Sequence, residues 1–169
     1  MIQEYLHKKR LRIIKRHLGS GLPDLDLGAG RQPKAKISLD IDGEFRPNIV
    51  ADVGCLPIRS EAVDSVVCSH VIEHMKNLNR VMIEIKRILR KDGTVIIFLP
   101  DDGSTFWRMV RPFWTFYYKK FVSKHSSPAA HAHSFDYKSL RRLVERFFLP
   151  FEVGKINFDM EIYAICKRY

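Results

Sequence analysis

Three histidines and three acids stand where side chains could exchange protons or grip a ligand. His70 closes the β-branched run VDSVVCSH, His74 comes a helical turn later, and His133 lies in SSPAAHAHSFDY. A histidine's reference pKa near neutrality suits it to take a proton from a hydroxyl acceptor. His70 follows an apolar run directly and is expected to face a site, whereas His74 is placed to cap or pack. Asp26, Asp40 and Asp52 each fall at the polar end of an apolar stretch, in LPDLDL, KISLDI and IVADV. A carboxylate there accepts hydrogen bonds from hydroxyl and amino groups. After Asp26 the chain reads Leu27-Gly28-Ala29-Gly30, and its glycines let backbone N–H groups come close to a bound molecule.

Metal chemistry is not expected. His125, His131 and His133 fall close together, but no carboxylate or thiolate lies within that cluster. Cys55, Cys68 and Cys166 are odd in number and form no C-x-x-C pair, so they are expected to be reduced and structural.

A dinucleotide site would want G-x-G-x-x-G and an acid about 20 residues on. Here Pro33 holds the third glycine position, and Asp40 follows Gly28 by only 12 residues. The eight residues Gly28 to Ala35 leave room for a helix of a turn or two, with little dipole to hold a pyrophosphate. A ligand without phosphates fits better, and acids at three strand ends suit an adenosine with its ribose hydroxyls and exocyclic amine.

The elements that must position these groups are legible in the hydrophobic periodicity. EYLHKKRLRIIKRHL (4–18) predicts a basic helix with Leu11, Ile14 and Leu18 on one side, and the other face is read as solvated. Strand-like runs end near Leu27 and cover 36–41, 49–53, 63–70 and 94–100. Apolar residues recur at helical spacing over 78–90 and 136–148, and EVGKINF and EIYAICK close the chain as a hairpin. This alternation predicts an α/β fold with a mainly parallel sheet and helices on both faces. Ligands bind such sheets beyond the carboxyl ends of the strands, where strand order reverses. One domain over 1–169 is expected, with a basic helix in 1–20 and no internal repeat.

The same residues resemble the class I S-adenosylmethionine-dependent methyltransferases of the type 11 kind. Leu25-Asp26-Leu27-Gly28-Ala29-Gly30 matches their glycine-rich first motif. Ala51-Asp52-Val53-Gly54-Cys55-Leu56-Pro57-Ile58 and the run Val63 to His74 are similar to the family's D-x-x-x-L-P-F and F-D-x-V…E-H segments. Ile83 to Gly93 is similar to E-x-x-R-x-L-K-P-G-G, and His133-Ser134-Phe135 to a later H-x-F element. The resemblance covers about residues 22 to 150; Gln32 departs from it, standing where many members carry a further glycine.

The resemblance implies a doubly wound, Rossmann-like sheet of seven strands with a C-terminal antiparallel hairpin, and S-adenosylmethionine as cofactor. It places Asp26, Gly28 and Gly30 around the methionine moiety, Asp40 on the ribose and Asp52 with Val53 at the adenine, with Ala29 and Ile41 as further cofactor positions. Ser69 and His70 would border the transferring methyl, and His70 and His133 are the candidate catalytic groups. A sulfonium donor is already activated, so aligning the acceptor is the main task, an effect that can supply about 7–11 kcal/mol.

Hydrophobic residues at 46% and charged residues at 28% point to a soluble globular chain. No run of 18 apolar residues and no secretory leader are visible, so a cytoplasmic location is expected. A net charge of +10 permits an anionic partner. FWRMVRPFWTFYYKKFVSKH (106–125) sits in a lid-like insertion over 103–135 and combines aromatic rings with five cations. Three readings stay open: rings buried in protein as a lid or dimer surface, a lipid-facing element, or an RNA surface. A small or lipid-linked methyl acceptor is expected ahead of RNA, and a non-catalytic cofactor-binding regulator is the alternative.

Overall fold

The fold is seen in a computed structural model that describes residues 2–19, 21–105, 109 and 132–169. Strands β1 (Leu25–Leu27), β2 (Ile37–Asp40), β3 (Ile49–Val50), β4 (Val63–Ser69), β5 (Leu89–Pro100), β6 (Leu149–Ile156) and β7 (Glu161–Lys167) form one sheet. Its order is β3-β2-β1-β4-β5-β7-β6. The first five strands pair in parallel, and β7 runs antiparallel between β5 and β6. Strand order reverses between β1 and β4, so a ligand crevice opens beyond Leu27 and Ser69.

Side-chain alternation divides the core into two layers. Val67, Ile96, Phe98, Tyr163 and Ile165 face helix α1 (Ile2–Leu18), which buries Ile13 and Ile14 against them. Val66, Cys68, Val95, Ile97, Leu99, Ile162 and Ala164 face α2 (Leu78–Ile88) and α3 (Tyr137–Glu145). From the helices come Val81, Met82, Ile85 and Ile88, then Leu140, Leu143 and Val144. Fully burying one such side chain is worth about 1.5–3 kcal/mol, so Ile14 alone contributes substantially to docking α1. Local signals start the helices: the Asn77 side chain accepts from Arg80 N, and Asp136 with Ser139 closes a capping box.

The seven strands, the helices on both faces and the C-terminal hairpin agree with the fold read from the sequence. Several details differ. The helix read over 78–90 ends at Ile88, and the strand read over 94–100 already begins at Leu89. No helix forms between β1 and β2; residues 28–36 are turns and bends, because nine residues must cross to the adjacent parallel strand while Gly28 N and Ala29 N both bond Leu39 O. The run at 49–53 pairs only at Ile49–Val50, then leaves the sheet in a turn closed by Cys55 N donating to Asp52 O. Helix α3 stops at Glu145, before Phe148 turns back into the core. β6 starts at Leu149 and ends at Ile156, since Asn157, Phe158 and Asp159 all adopt left-handed backbone at the hairpin turn. Most of the 103–135 insertion, including 106–108 and 110–131, lies outside the described residues. Among the described residues no helix is long and apolar enough to cross a membrane.

Candidate functional site

At the end of β1 the backbone turns through Gly28 and Gly30, with φ of +66° and +55°. The turn is held from β2, because Asp40 accepts from Gly30 N at 2.8 Å and from Asp42 N at 3.0 Å. Each Asp40 oxygen keeps a further lone pair, and the neighbouring Ile41 side chain is 70% exposed, so an acid and an apolar surface stand side by side at the strand end. Opposite, Asp52 is exposed and uses Oδ1 to fix Gly54 N at 2.7 Å. Val53 packs into the core, which leaves its backbone rather than its side chain on offer.

Asp26 behaves differently from the expectation that it borders the ligand. It is fully buried, accepts from Lys34 N at 2.7 Å, and lies 3.6 Å from the buried Lys34 ammonium. Burial raises its pKa against the pull of that ammonium. Asp26 therefore shapes the turn from beneath, and Lys34 closes over it.

β4 delivers Ser69 and His70 to the same edge. Ser69 Oγ is buried with no hydrogen-bond partner among the described residues. His70 has a φ of +58°, a conformation costly for a residue with a Cβ, and its N–H is tied to Phe98 O at 2.9 Å. Its ring lies between two buried carboxylates: Nε2 is 3.2 Å from Glu161 Oε1 and Nδ1 is 3.5 Å from Glu73 Oε1. Glu161 opens β7 opposite Pro100. It also accepts from Arg10 Nε and Nη2, on one edge of the guanidinium, and from Asn157 Nδ2 at 2.9 Å.

Burial alone would push the His70 pKa down, yet the carboxylates of Glu161 and Glu73 on either side of the ring outweigh it and raise the pKa above its usual value. Burial works upward on Glu161, but His70 and Arg10 prevail and hold its carboxyl at about 2. Arg10 Nη2 also comes within 3.1 Å of His70 Nε2. A guanidinium only donates, so a proton on Nε2 directed at Glu161 leaves Arg10 and His70 as two donors on one carboxylate.

The carboxylate of Glu73 is 1% exposed, and neither of its oxygens has a hydrogen-bond partner among the described residues. The Glu73 carbonyl receives His133 N at 3.0 Å, so His133 does come to the turn after β4, with its Nε2 buried and unbonded. His74 is half-exposed, 4.0 Å from Glu73. His125 and His131 lie outside the described residues.

The structure thus gathers Gly28, Gly30, Asp40, Ile41, Asp52, Ser69, His70 and His133 along one edge and adds Arg10, Glu161, Glu73 and Lys34, which the sequence reading missed. Arg10 carried a signal: it precedes the buried Ile14 by one helical turn and shares its face. Glu161 carried none, since only strand pairing brings it to His70. An open hollow of about 370 Å³ lined by Gly54, Cys55, Arg80 and Glu84 lies beside the 52–55 turn, away from the glycine turn.

Comparison with known proteins agrees with the fold. Residues 24–97 match the family model described as a methyltransferase domain. An uncharacterized protein of Methanocaldococcus jannaschii is 30% identical over 119 residues, covering 63% of this chain and 58% of that protein. The chain therefore spans little more than half the length of that relative. A solved structure from Thermotoga maritima, described as a methyltransferase dependent on S-adenosylmethionine and a possible histamine N-methyltransferase, superimposes with a TM-score of 0.73. It is 18% identical, covering 94% of this chain and 87% of that one. The 1,6-didemethyltoxoflavin-N1-methyltransferase of Burkholderia thailandensis, solved with S-adenosylhomocysteine, gives a TM-score of 0.65 at 14% identity, covering 94% and 76% of the two chains.

Proposed function

We propose that this chain, which belongs to the class I S-adenosylmethionine-dependent methyltransferase family, transfers the methyl group of that cofactor to an O–H or N–H group of a small or lipid-linked acceptor. The observation that carries the reading is the convergence on one sheet edge of a left-handed glycine turn, an acid with spare lone pairs beside an exposed isoleucine, and a histidine backed by a buried acid.

These residues fit the cofactor. Gly28, Ala29 and Gly30 bring backbone close to its methionine end, Asp40 and Asp52 accept from hydroxyl and amino groups, and Ile41 offers an apolar face to a ring. The unbonded Ser69 Oγ lies at the strand end next to His70. When bound, the cofactor supplies a methyl group on a sulfonium. The chain's own part is to orient the acceptor and to remove its proton, and His70 is the base, with His133 at the neighbouring turn.

One protein of the same fold is named as an N1-methyltransferase of 1,6-didemethyltoxoflavin and another as a possible histamine N-methyltransferase, which supports an N–H acceptor here. The rings and cations of 106–125 support an amphiphilic one. A second reading, RNA as acceptor, draws on the net charge of +10 and on Lys8, Arg12 and Lys15, all on the exposed face of α1. Calorimetric titration with S-adenosylmethionine, and separately with NAD, tests the class. Saturable binding of the methyl donor alone is expected, with loss in Asp52→Ala; binding of NAD, or of neither, would overturn the reading. RNA binding that weakens steeply with salt would move the acceptor to nucleic acid.

A further inference from the structure

We infer that Glu161 and Arg10 are positioning residues that hold the His70 ring with its proton on Nε2, leaving Nδ1, the nitrogen that faces Glu73, as the atom through which protons come and go. The inference rests on the proposed function, in which His70 is the base, and makes the N-terminal helix part of the reaction centre.

Two partners compete for Nε2: Arg10 Nη2 at 3.1 Å would need a lone pair there, and Glu161 Oε1 at 3.2 Å needs a proton; Arg10 already has Glu161 as its acceptor, so the proton is assigned to Nε2. Glu161 is buried and accepts from three side chains, Arg10, Asn157 and His70, which together occupy both of its oxygens. Its Oε1 can bind Nε2 only if that nitrogen carries hydrogen. Arg10 reaches the carboxylate from α1, and Asn157 reaches it from the hairpin turn, so three separate segments fix one acid. The left-handed backbone of His70 prevents its ring from following the strand and turns it toward β7. With Nε2 committed, Nδ1 is the nitrogen left to exchange a proton, and the buried carboxylate of Glu73, 3.5 Å away and without a hydrogen-bond donor among the described residues, stabilises positive charge there. This is the logic of an acid that orients a catalytic imidazole and favours its charged form.

The groups facing His70 are Arg10 of α1, Glu161 of β7, and Glu73 and His74 of the turn after β4, while β5 offers only the Phe98 carbonyl. In the reaction the acceptor's O–H or N–H bond breaks toward Nδ1. The freed electron pair forms the bond to the methyl carbon, and the carbon–sulfur pair stays on sulfur, which becomes neutral. His70 must therefore enter neutral. His70 would be favoured in its neutral form when a sulfonium is held nearby, because like charges repel, and would lose that bias once the product is a neutral sulfide.

Nuclear magnetic resonance titration of ring-labelled histidine in the full chain tests this without an acceptor. Wild-type His70 is expected to titrate above ordinary histidines and to be the Nε2–H tautomer when neutral. Removing an opposite charge at this distance moves a histidine by about 1–3 pH units, so Glu161→Gln is expected to lower the midpoint by at least one. Arg10→Gln removes a cation and is expected to raise it, and Arg10→Lys to restore it. Opposite directions in the two variants are the signature of charge and tautomer control. Movement of both toward the free-histidine value, or an Nδ1–H tautomer in the wild type, would overturn the inference. Saturating S-adenosylmethionine should lower the midpoint relative to S-adenosylhomocysteine. If the cofactor does not bind while the opposed shifts persist, the functional reading fails and the positioning geometry stands; if it binds and the shifts are absent, the reverse holds. Should Glu161→Gln unfold, Glu161→Asp with Arg10→Gln decides the same question.

Discussion

Gly28→Ala isolates the contact on which the cofactor turn depends. A Cβ built on Gly28 would lie 2.2 Å from Val71 Cγ2, and 3.3 Å from Val71 Cβ and Cγ1, while the residue keeps a φ of +66°. Ordinary contact between carbons needs about 3.5–4.0 Å, so the chain after β4 would have to move by more than 1 Å. Left-handed backbone costs a residue with a Cβ roughly 1–2 kcal/mol, and overpacking of this kind typically costs 1–3 kcal/mol more. A loss of about 2–5 kcal/mol is expected. Because the displaced chain follows directly on Ser69 and His70, affinity for S-adenosylmethionine should fall at least about tenfold, which is about 1.4 kcal/mol. Val71→Ala removes the atom at 2.2 Å and leaves one at 3.3 Å, so adding it should recover the overpacking part, about 1–3 kcal/mol, and leave the backbone part. Urea unfolding and calorimetric titration of the two single variants and the double variant measure both quantities. Wild-type affinity in Gly28→Ala, or strict additivity of the two changes, would refute the argument.

Further expectations follow from the same contacts. Asp40→Asn turns one acceptor into a donor facing a backbone N–H, which should cost about 1–3 kcal/mol in stability and weaken the cofactor more than it weakens folding, as thermal shift with and without ligand would show. Ile14→Ala should cost about 2–5 kcal/mol in urea, since it empties the layer under α1, and should release the His70 resonance from its held position. The acid limb of stability reports Glu161. Its folded value of about 2 lies below the usual 4.5, so its contribution is complete above about 4.5 and disappears as pH falls toward 2. The size is on the order of 3 kcal/mol, shared with His70 as one coupled interaction. His70 has the opposite sign: raised above 6.5, it stabilises fully below that value and loses its contribution as pH rises through the folded midpoint. Glu161→Gln should flatten both limbs of the stability profile.

Local chemistry made much of this protein legible before any fold was seen. Alternating hydrophobic periods marked α2, β4, β5 and β7 because each buries a continuous apolar face, and EIYAICK matched β7 at both ends. Glycines and acids at strand ends marked the edge proposed to hold the cofactor, because a sheet offers its polar groups to a ligand only where the strands stop. Other features depended on tertiary structure. Nothing in the sequence distinguishes Asp26, which the fold sets against the buried Lys34 ammonium, from Asp40, which it also buries but binds to the backbone N–H groups of Gly30 and Asp42, since such partners are a property of the fold. The basic N-terminal helix read as a solvated face, yet it carries Arg10 on the stripe that docks through Ile14. Glu161 stands 91 residues from His70 in the chain, and only the antiparallel insertion of β7 beside β5 sets it against that ring. Periodicity shows which faces are buried, whereas strand pairing decides which distant charges meet there, because that choice minimises the free energy of the whole sheet rather than of any segment.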